Sequence, residues 1–372
     1  MPERLENPQA VYLTAENRCN LKCKSCAIWE DMAETDTRGE PRLVADEIHA
    51  LIDQIRAWGG VQHIAFDTIG EPFLDKSFES YLGHASSLGL GTSTVTNGMP
   101  LTESRALEVL KSGLQFISFS IDSPIAATHD SIRGQQGAFE KTVRAIEVLQ
   151  RLKRAHQQTT GQKHPAIMVI CVVSRDNFRQ LDQMAELVRD LGVNRLRMVY
   201  AATVDAGVSA NLAQQSAAKA NSHRFELRSE DLHIDEADKG LLFEQLGLLA
   251  CKCANYNIHL DLAINAANVR RPCPILWMSA FVDKFGNVYP CPMMTDTHLG
   301  NVRHQSLGEI WNSEEYALLR ELLHKRNSGQ VDLEICERCC TFSRIVTRPA
   351  PGATAEAPAS SGVAPSGEKR RA

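Results

Sequence analysis

The sequence predicts an α/β protein. Its main part is a parallel sheet of about six β/α units with the helices outside, open or closed into a barrel; a small α+β module follows. Two observations carry this. Over the first two-thirds of the chain, short β-prone runs alternate with helix-period segments, the pattern of parallel strands joined by crossover helices. From Arg270 onward the texture changes to clustered cysteines, a hairpin-like FVDKFGNVYPC stretch (281–291) and a polar helical stretch.

The elements follow in order. VYLTA (11–15) reads as a short first strand. In 46–58, Ile48, Leu51, Ile52 and Ile55 recur at i, i+3, i+4 and i+7, which predicts an amphipathic helix closed by Gly59-Gly60. VQHIAFDT (61–68) is the next strand, then a helix over 75–88, the strand TSTVTN (92–97), a helix near 102–112 and the strand QFISFSID (115–122). A helix near 137–154 leads to AIMVICVV (166–173), whose unbroken apolar run predicts a strand buried on both faces. A helix over 176–191 and the strand RLRMVY (195–200) complete the sixth unit. The Ala/Ser/Gln-rich stretch 205–222 reads as loop or weak helix, 235–256 as a helix, IHLDLAI (258–264) as a strand and 306–327 as one polar helix. The C-terminal module is expected to be stapled by something other than a hydrophobic core. The predicted organisation is a barrel domain over 1–232, a linker helix and cysteine module over 233–348, and a disordered Pro/Ala/Ser/Gly-rich tail over 349–372.

Composition narrows the function. Of 372 residues, 43% are apolar and 23% charged, as in ordinary globular proteins. A net charge of −5 offers no basic footprint, so neither nucleic acid nor an anionic membrane is an expected partner. The first residues are polar and no run approaches the roughly 18 apolar residues of a membrane span, which predicts a cytoplasmic protein. In that compartment the 11 cysteines read as metal ligands or reactive thiols rather than disulfides.

RCNLKCKSC (18–26) places Cys19, Cys23 and Cys26 as C-x3-C-x2-C just after the first strand. Three thiolates on one loop can wrap one face of an iron–sulfur cube and leave one iron open; zinc would need a remote fourth ligand. A second set begins with Cys273, then twelve residues, Gly286, four residues and Cys291, with Cys336 and Cys339 later as C-x2-C. Four such thiolates suit either a fully ligated cube or a zinc ribbon. Elsewhere, Cys171 reads as core, and Cys253 falls on the buried stripe of Leu242, Leu246 and Leu249. Cys251 lies on the opposite helix face; it is a candidate hydrogen-atom donor, although a peripheral helix usually faces away from the barrel interior. The polar residues predicted at strand ends, Glu16, Asp67, Asn97, Asp122, Ser174 and Tyr200, are candidate substrate-site groups. Asp67 and Asp122 are the candidate catalytic bases, and equally candidate turn or capping residues.

The first cysteine motif resembles the signature of the radical S-adenosylmethionine (SAM) enzymes. That resemblance implies an open iron that chelates the amino and carboxylate groups of SAM. One electron then cleaves SAM to a 5′-deoxyadenosyl radical that abstracts a hydrogen atom from substrate. IGEP (69–72) resembles the family's Gly-Gly-Glu-Pro segment, which implies that Gly70, Glu71 and Pro72 bind the methionine amino end, with Ile69 in place of the first glycine. SFSID (118–122) followed by HDSIRG (129–134) resembles the pattern whose serine and arginine hold the SAM carboxylate, here Ser120 and Arg133. An arginine fork suits that task. Tyr200, closing its strand, is counted with this cofactor-binding set. Ser25 stands where the family usually has an aromatic residue, for which Trp29 is the available substitute. The resemblance spans about 10–205 and implies a partial (β/α)6, TIM-like barrel with its site at the strand C-terminal ends.

The second set resembles the SPASM/twitch extension of the same enzymes. No cysteine follows Cys340, so the match is to the shorter twitch form. It implies one auxiliary 4Fe–4S cluster on Cys273, Cys291, Cys336 and Cys339, with Cys340 as the alternative to Cys339, and a module ordered only when loaded. Together these imply a dehydrogenase-type oxidoreductase that takes a hydrogen from a small polar substrate, by family analogy a sugar or aminocyclitol. The auxiliary cluster would accept the electron, and an external reductant such as flavodoxin or ferredoxin would supply the first cluster. The alternatives are a peptide or protein maturase and, in a different class, a non-catalytic metal-binding protein.

Overall fold

The computed structural model describes residues 7–26, 39–66, 69–200, 232–263, 272–294, 297–333 and 336. Its strands are β1 (Ala10–Leu13), β2 (His63–Phe66), β3 (Gly91–Thr96), β4 (Phe116–Ser120), β5 (Ala166–Val173), β6 (Arg195–Tyr200), β7 (His259–Ala263), β8 (Ser279–Val282), β9 (Asn287–Tyr289) and β10 (Gly300–Asn301). They form one open sheet in the order β10-β9-β8-β1-β2-β3-β4-β5-β6-β7. From β8 to β7 every neighbouring pair is parallel, while β8, β9 and β10 run antiparallel. This is the predicted partial barrel.

The helices begin and end where local chemistry allows. In α1 (Ala45–Trp58) the predicted stripe of Ile48, Leu51, Ile52 and Ile55 is buried, and Gly59 closes the helix at φ +79°. In α3 (Glu103–Lys111), Thr102 caps the first turn by accepting from the Arg105 N–H at 3.3 Å. The predicted helix over 75–88 is α2 (Phe78–Ser87), preceded by a 3₁₀ turn at Pro72–Leu74. Sequence periodicity missed α4 (Ala126–Arg133), a short helix that buries only His129 and Ile132. It leads into α5 (Ala138–Thr160). After α6 (Met184–Asp190) and β6, α7 (Lys239–Asn255) buries Leu242, Leu246, Leu249 and Cys253 as expected. Cys251 is exposed and Cys171 buried.

Three expectations are corrected. First, β5 is not buried on both faces: Ile167, Val169, Cys171 and Val173 pack into the core, whereas Met168, Ile170 and Val172 are only partly buried on the interior face. Its apolar run reflects two environments, a helix-packed outer face and an apolar chamber wall. Second, the C-terminal module has a core. Strand β8 pairs with β1 (Tyr12↔Phe281), and Leu276, Val282, Ile310, Trp311 and Tyr316 belong to the same buried cluster as Val11 and Ile52. Without β8, β1 would be an edge strand with unpaired backbone groups. Arg303 reaching Glu47 at 2.6 Å and Lys284 reaching Asp75 at 3.1 Å tie the module to the barrel. Third, the single polar helix is two: Ser306 caps Leu307–Trp311 and Ser313 caps Glu314–Asn327.

Register aligns the interior face. Ser120 of β4 stands beside Ile170 of β5, Ile170 beside Arg197 of β6, and Arg197 beside Asp261 of β7. Since alternate residues share a face, this row looks inward while Leu196, Met198 and Tyr200 look out toward the helices.

Candidate active site

The cysteine loop lies over the C-terminal ends of the strands and is pinned from three sides. Within the loop, buried Glu16 accepts from the Arg18 N–H at 3.0 Å and pairs with its guanidinium. Arg18 O accepts from the Glu71 N–H at 2.8 Å, joining the loop to the IGEP turn. The Lys24 N–H donates to Ile132 O at 2.9 Å, joining it to α4. At the end of β3, Asn97 Nδ2 donates to Asn20 Oδ1 at 2.9 Å and approaches Cys19 Sγ at 3.9 Å. Arg133 Nη1 approaches Cys23 Sγ at 3.8 Å. Donors of this kind next to thiolate ligands stabilise the ionised form and tune what it binds.

Two glycines let these segments meet. Gly70 has φ +81°, and a Cβ there would lie 2.1 Å from Glu16 O and 2.9 Å from Asn17 Cα. Gly134 has φ +67°, and a Cβ there would lie 2.4 Å from Lys22 O. Only glycine permits both the backbone angle and the approach.

Glu71 is fully enclosed. Its carboxylate accepts from Thr96 Oγ1 at 2.7 Å, the Asn97 N–H at 2.8 Å and the Phe73 N–H at 3.2 Å. Burial raises its pKa to about 7 against the lowering by these donors. A folded-state pKa above the ordinary 4.5 favours the protonated form, so its contribution to stability is full below 4.5 and is lost as pH rises through about 7. Glu71→Gln removes that term. The metal-free wild type is expected to lose urea resistance relative to the variant between pH 4.5 and pH 7, and parallel curves over that window would refute it.

Asp122 sits at 1% exposure with its carboxylate 2.8 Å from Arg133 Nε and accepting from the Val172 N–H at 3.0 Å. Its backbone N–H donates to His129 Nδ1 at 3.1 Å. Burial and the neighbouring Arg133 push the His129 pKa down to about 4, which keeps that nitrogen an acceptor. Burial opposes the Arg133 charge, but the Asp122 carboxylate beside it holds the guanidinium ionised.

A cavity of about 130 Å³ brings most of the predicted residues together: Cys19, Cys23 and Cys26 on one side, Gly70, Glu71 and Pro72 on another, and Ser120 and Arg133 across from them. Ser25 and Ile69 also line it. Asn97, a predicted strand-end group, lines it too, and Leu21, Phe66, Val95 and Thr96, which were not predicted, complete the lining; of these, Phe66 and Thr96 close their strands. Tyr200 lies elsewhere, on the helix side of β6, where its hydroxyl accepts from the Ile234 N–H at 3.2 Å. Ser174, also buried, has its backbone N–H on Asn177 Oδ1 at 2.8 Å. Asp67, Trp29, Cys339 and Cys340 lie outside the described residues, as do 205–222 and the tail over 349–372.

The three thiols line one cavity, and a cube would take each thiolate on a different iron. Burial raises the Cys19 thiol to about 11 and also raises Cys23. Metal-free, both are neutral, and metal loading would release their protons. In the second set, Cys273 is anchored by Asn327, which accepts from its N–H at 3.0 Å and donates to its carbonyl at 2.9 Å. Cys291 follows β9, and the hairpin turn between β8 and β9 closes on Gly286 at φ +84°.

Residues 16–188 match the radical SAM superfamily, and residues 273–340 match SPASM, an iron–sulfur cluster-binding domain. The AdoMet-dependent heme synthase of Methanosarcina barkeri is 27% identical over 316 residues, covering 84% of this chain and 85% of that protein. The antilisterial bacteriocin subtilosin biosynthesis protein AlbA of Bacillus subtilis is 27% identical over 347 residues, covering 91% of this chain and 66% of that protein. Among solved structures, anSMEcpe with bound AdoMet superposes with a TM-score of 0.61 at 16% identity, covering 91% of each chain. No described helix is long and apolar enough to cross a membrane.

Proposed function

Since this chain is a radical SAM enzyme with a SPASM iron–sulfur domain, we propose that it is an oxidoreductase that removes a hydrogen atom from a small substrate in the barrel interior; an auxiliary cluster would accept the electron left behind, and Asp67 would take the accompanying proton. The observation that carries this reading is the single cavity where Cys19, Cys23 and Cys26 face Gly70, Glu71, Ser120 and Arg133. When bound, the cluster and SAM supply one-electron cleavage and a carbon radical able to take hydrogen from an unactivated position.

The chain's own residues do the rest. The three cysteines hold the first cluster. The backbone around Gly70 receives the amino end of SAM, and Ser120 with Arg133 receives its carboxylate. Asp122 is engaged by Arg133 and by the Val172 N–H, so it orients the guanidinium rather than taking a substrate proton. Leu21, Phe66 and Val95 keep water from the reacting atoms. Cys273, Cys291 and Cys336, with Cys339, would hold the auxiliary cluster, and an external one-electron donor would serve the first. Heme synthases among the relatives make a tetrapyrrole carboxylate the first substrate to try. A sugar fits less well, because the β5–β6 wall of the interior is apolar at Met168, Ile170, Val172 and Val199.

Anaerobic reconstitution with iron and sulfide, followed by SAM and dithionite, tests this. About eight irons per chain and 5′-deoxyadenosine are expected. About four irons would remove the auxiliary cluster, and no 5′-deoxyadenosine would sink the reading. The relative named for subtilosin biosynthesis supports a second reading, peptide modification; a short precursor gene beside this one would favour it.

A further inference from the structure

Two strands from Ser120, which lines the cysteine cavity, the interior face carries a charged pair that the proposed reaction does not use. Arg197 and Asp261 are register partners on β6 and β7, with Nε and Oδ2 3.4 Å apart. The distance exceeds that of a close charge-assisted bond, about 2.7–2.9 Å. The two side chains are 37% and 47% exposed, and a pair so exposed stabilises a fold little. Arg197 lies in the same row as Ser120, which lines the cavity, with only Ile170 between them. Two strand spacings put the two Cα atoms about 10 Å apart, so an extended arginine reaches into the space beside the cavity. Met168, Ile170, Val172 and Val199 surround it with apolar wall on the same face.

We propose that Arg197 is a specificity residue for an anionic group on the substrate, with Asp261 as the counter-ion it gives up on binding. The ligand class is a small carboxylic acid with an apolar body: the carboxylate takes the guanidinium fork, and the body lies against Met168, Ile170 and Val172. An arginine fork matches a carboxylate bidentately, whereas the 3.4 Å contact leaves that geometry unused toward Asp261. Asp261 holds the site near neutral when empty and competes with an incoming carboxylate for the guanidinium. This inference rests on the substrate occupying the barrel interior.

Calorimetry on the anaerobic, SAM-loaded holoenzyme tests it with two acid–ester pairs, 4-phenylbutyrate with its methyl ester and protoporphyrin with its dimethyl ester. In the wild type at least one acid should bind ten-fold or more tighter than its ester. Arg197→Met should bring the acid down to the ester's affinity, with ester binding serving as the control for an intact chamber. Arg197→Lys should keep part of the preference, and Asp261→Asn should tighten the acid several-fold. Equal binding of acid and ester by the wild type, no binding of either pair, or an acid preference that survives Arg197→Met would overturn it. Formation of 5′-deoxyadenosine by the same wild-type preparation separates the two failures. If it is absent, the proposed reaction is at fault; if it is present without an acid preference, the error lies with Arg197.

Discussion

Changing Cys19, Cys23 and Cys26 together to alanine is expected to lower bound iron by about four per chain and to abolish 5′-deoxyadenosine formation, while about four irons remain on the second set. The three sulfurs share one cavity, and no other described cysteine lines it. Their loop is held by backbone bonds from Lys24 to Ile132 and from Glu71 to Arg18, so removing the thiols leaves the loop's frame in place. The measurement is iron content with Mössbauer spectra of wild type and variant after identical reconstitution. Unchanged iron, or continued SAM cleavage, would remove these thiols from the chemistry.

Gly70→Ala is the next largest effect. The added methyl would have to occupy space 2.1 Å from Glu16 O at a backbone angle of φ +81°. Left-handed backbone strain of about 1–2 kcal/mol adds to overpacking of about 1–3 kcal/mol. The turn must therefore draw back from the cysteine loop. Glu71 would move with it, breaking its bonds to Thr96 and Asn97. A displacement near 1 Å at a positioning element can cost about 10²-fold in rate. SAM cleavage should fall by that order, with a lowered unfolding midpoint in the metal-free protein. Gly134→Ala, which would press on Lys22 O, offers a second site for the same test. Wild-type turnover in Gly70→Ala would mean that the close approach has no part in holding SAM.

Much of the site was legible because its chemistry is local. C-x3-C-x2-C, GEP and the HDSIRG stretch each put several functional atoms within one turn or loop, and the fold only had to bring three loops to one end of the sheet. Asp122 was legible as a polar strand end but not in its role, which depends on α4, a helix whose two buried residues leave almost no periodic signal. Tyr200 was misplaced for a related reason. A strand's last residue can face either way, and only pairing register decides which. Here it fell on the side of Leu196 and Met198, away from the cavity.

The sequence by itself determined the alternation of strands and helices, both cysteine sets and the order of the segments that line the cavity. Those are properties of spacing and side-chain chemistry within short windows. Tertiary structure alone decided that the C-terminal hairpin extends the barrel sheet through β8, that β5 has one open face, and that Arg197 meets Asp261 beside the cavity. Each depends on backbone pairing between segments far apart in the chain, and nothing within either segment announces which partner its hydrogen-bonding edge will find.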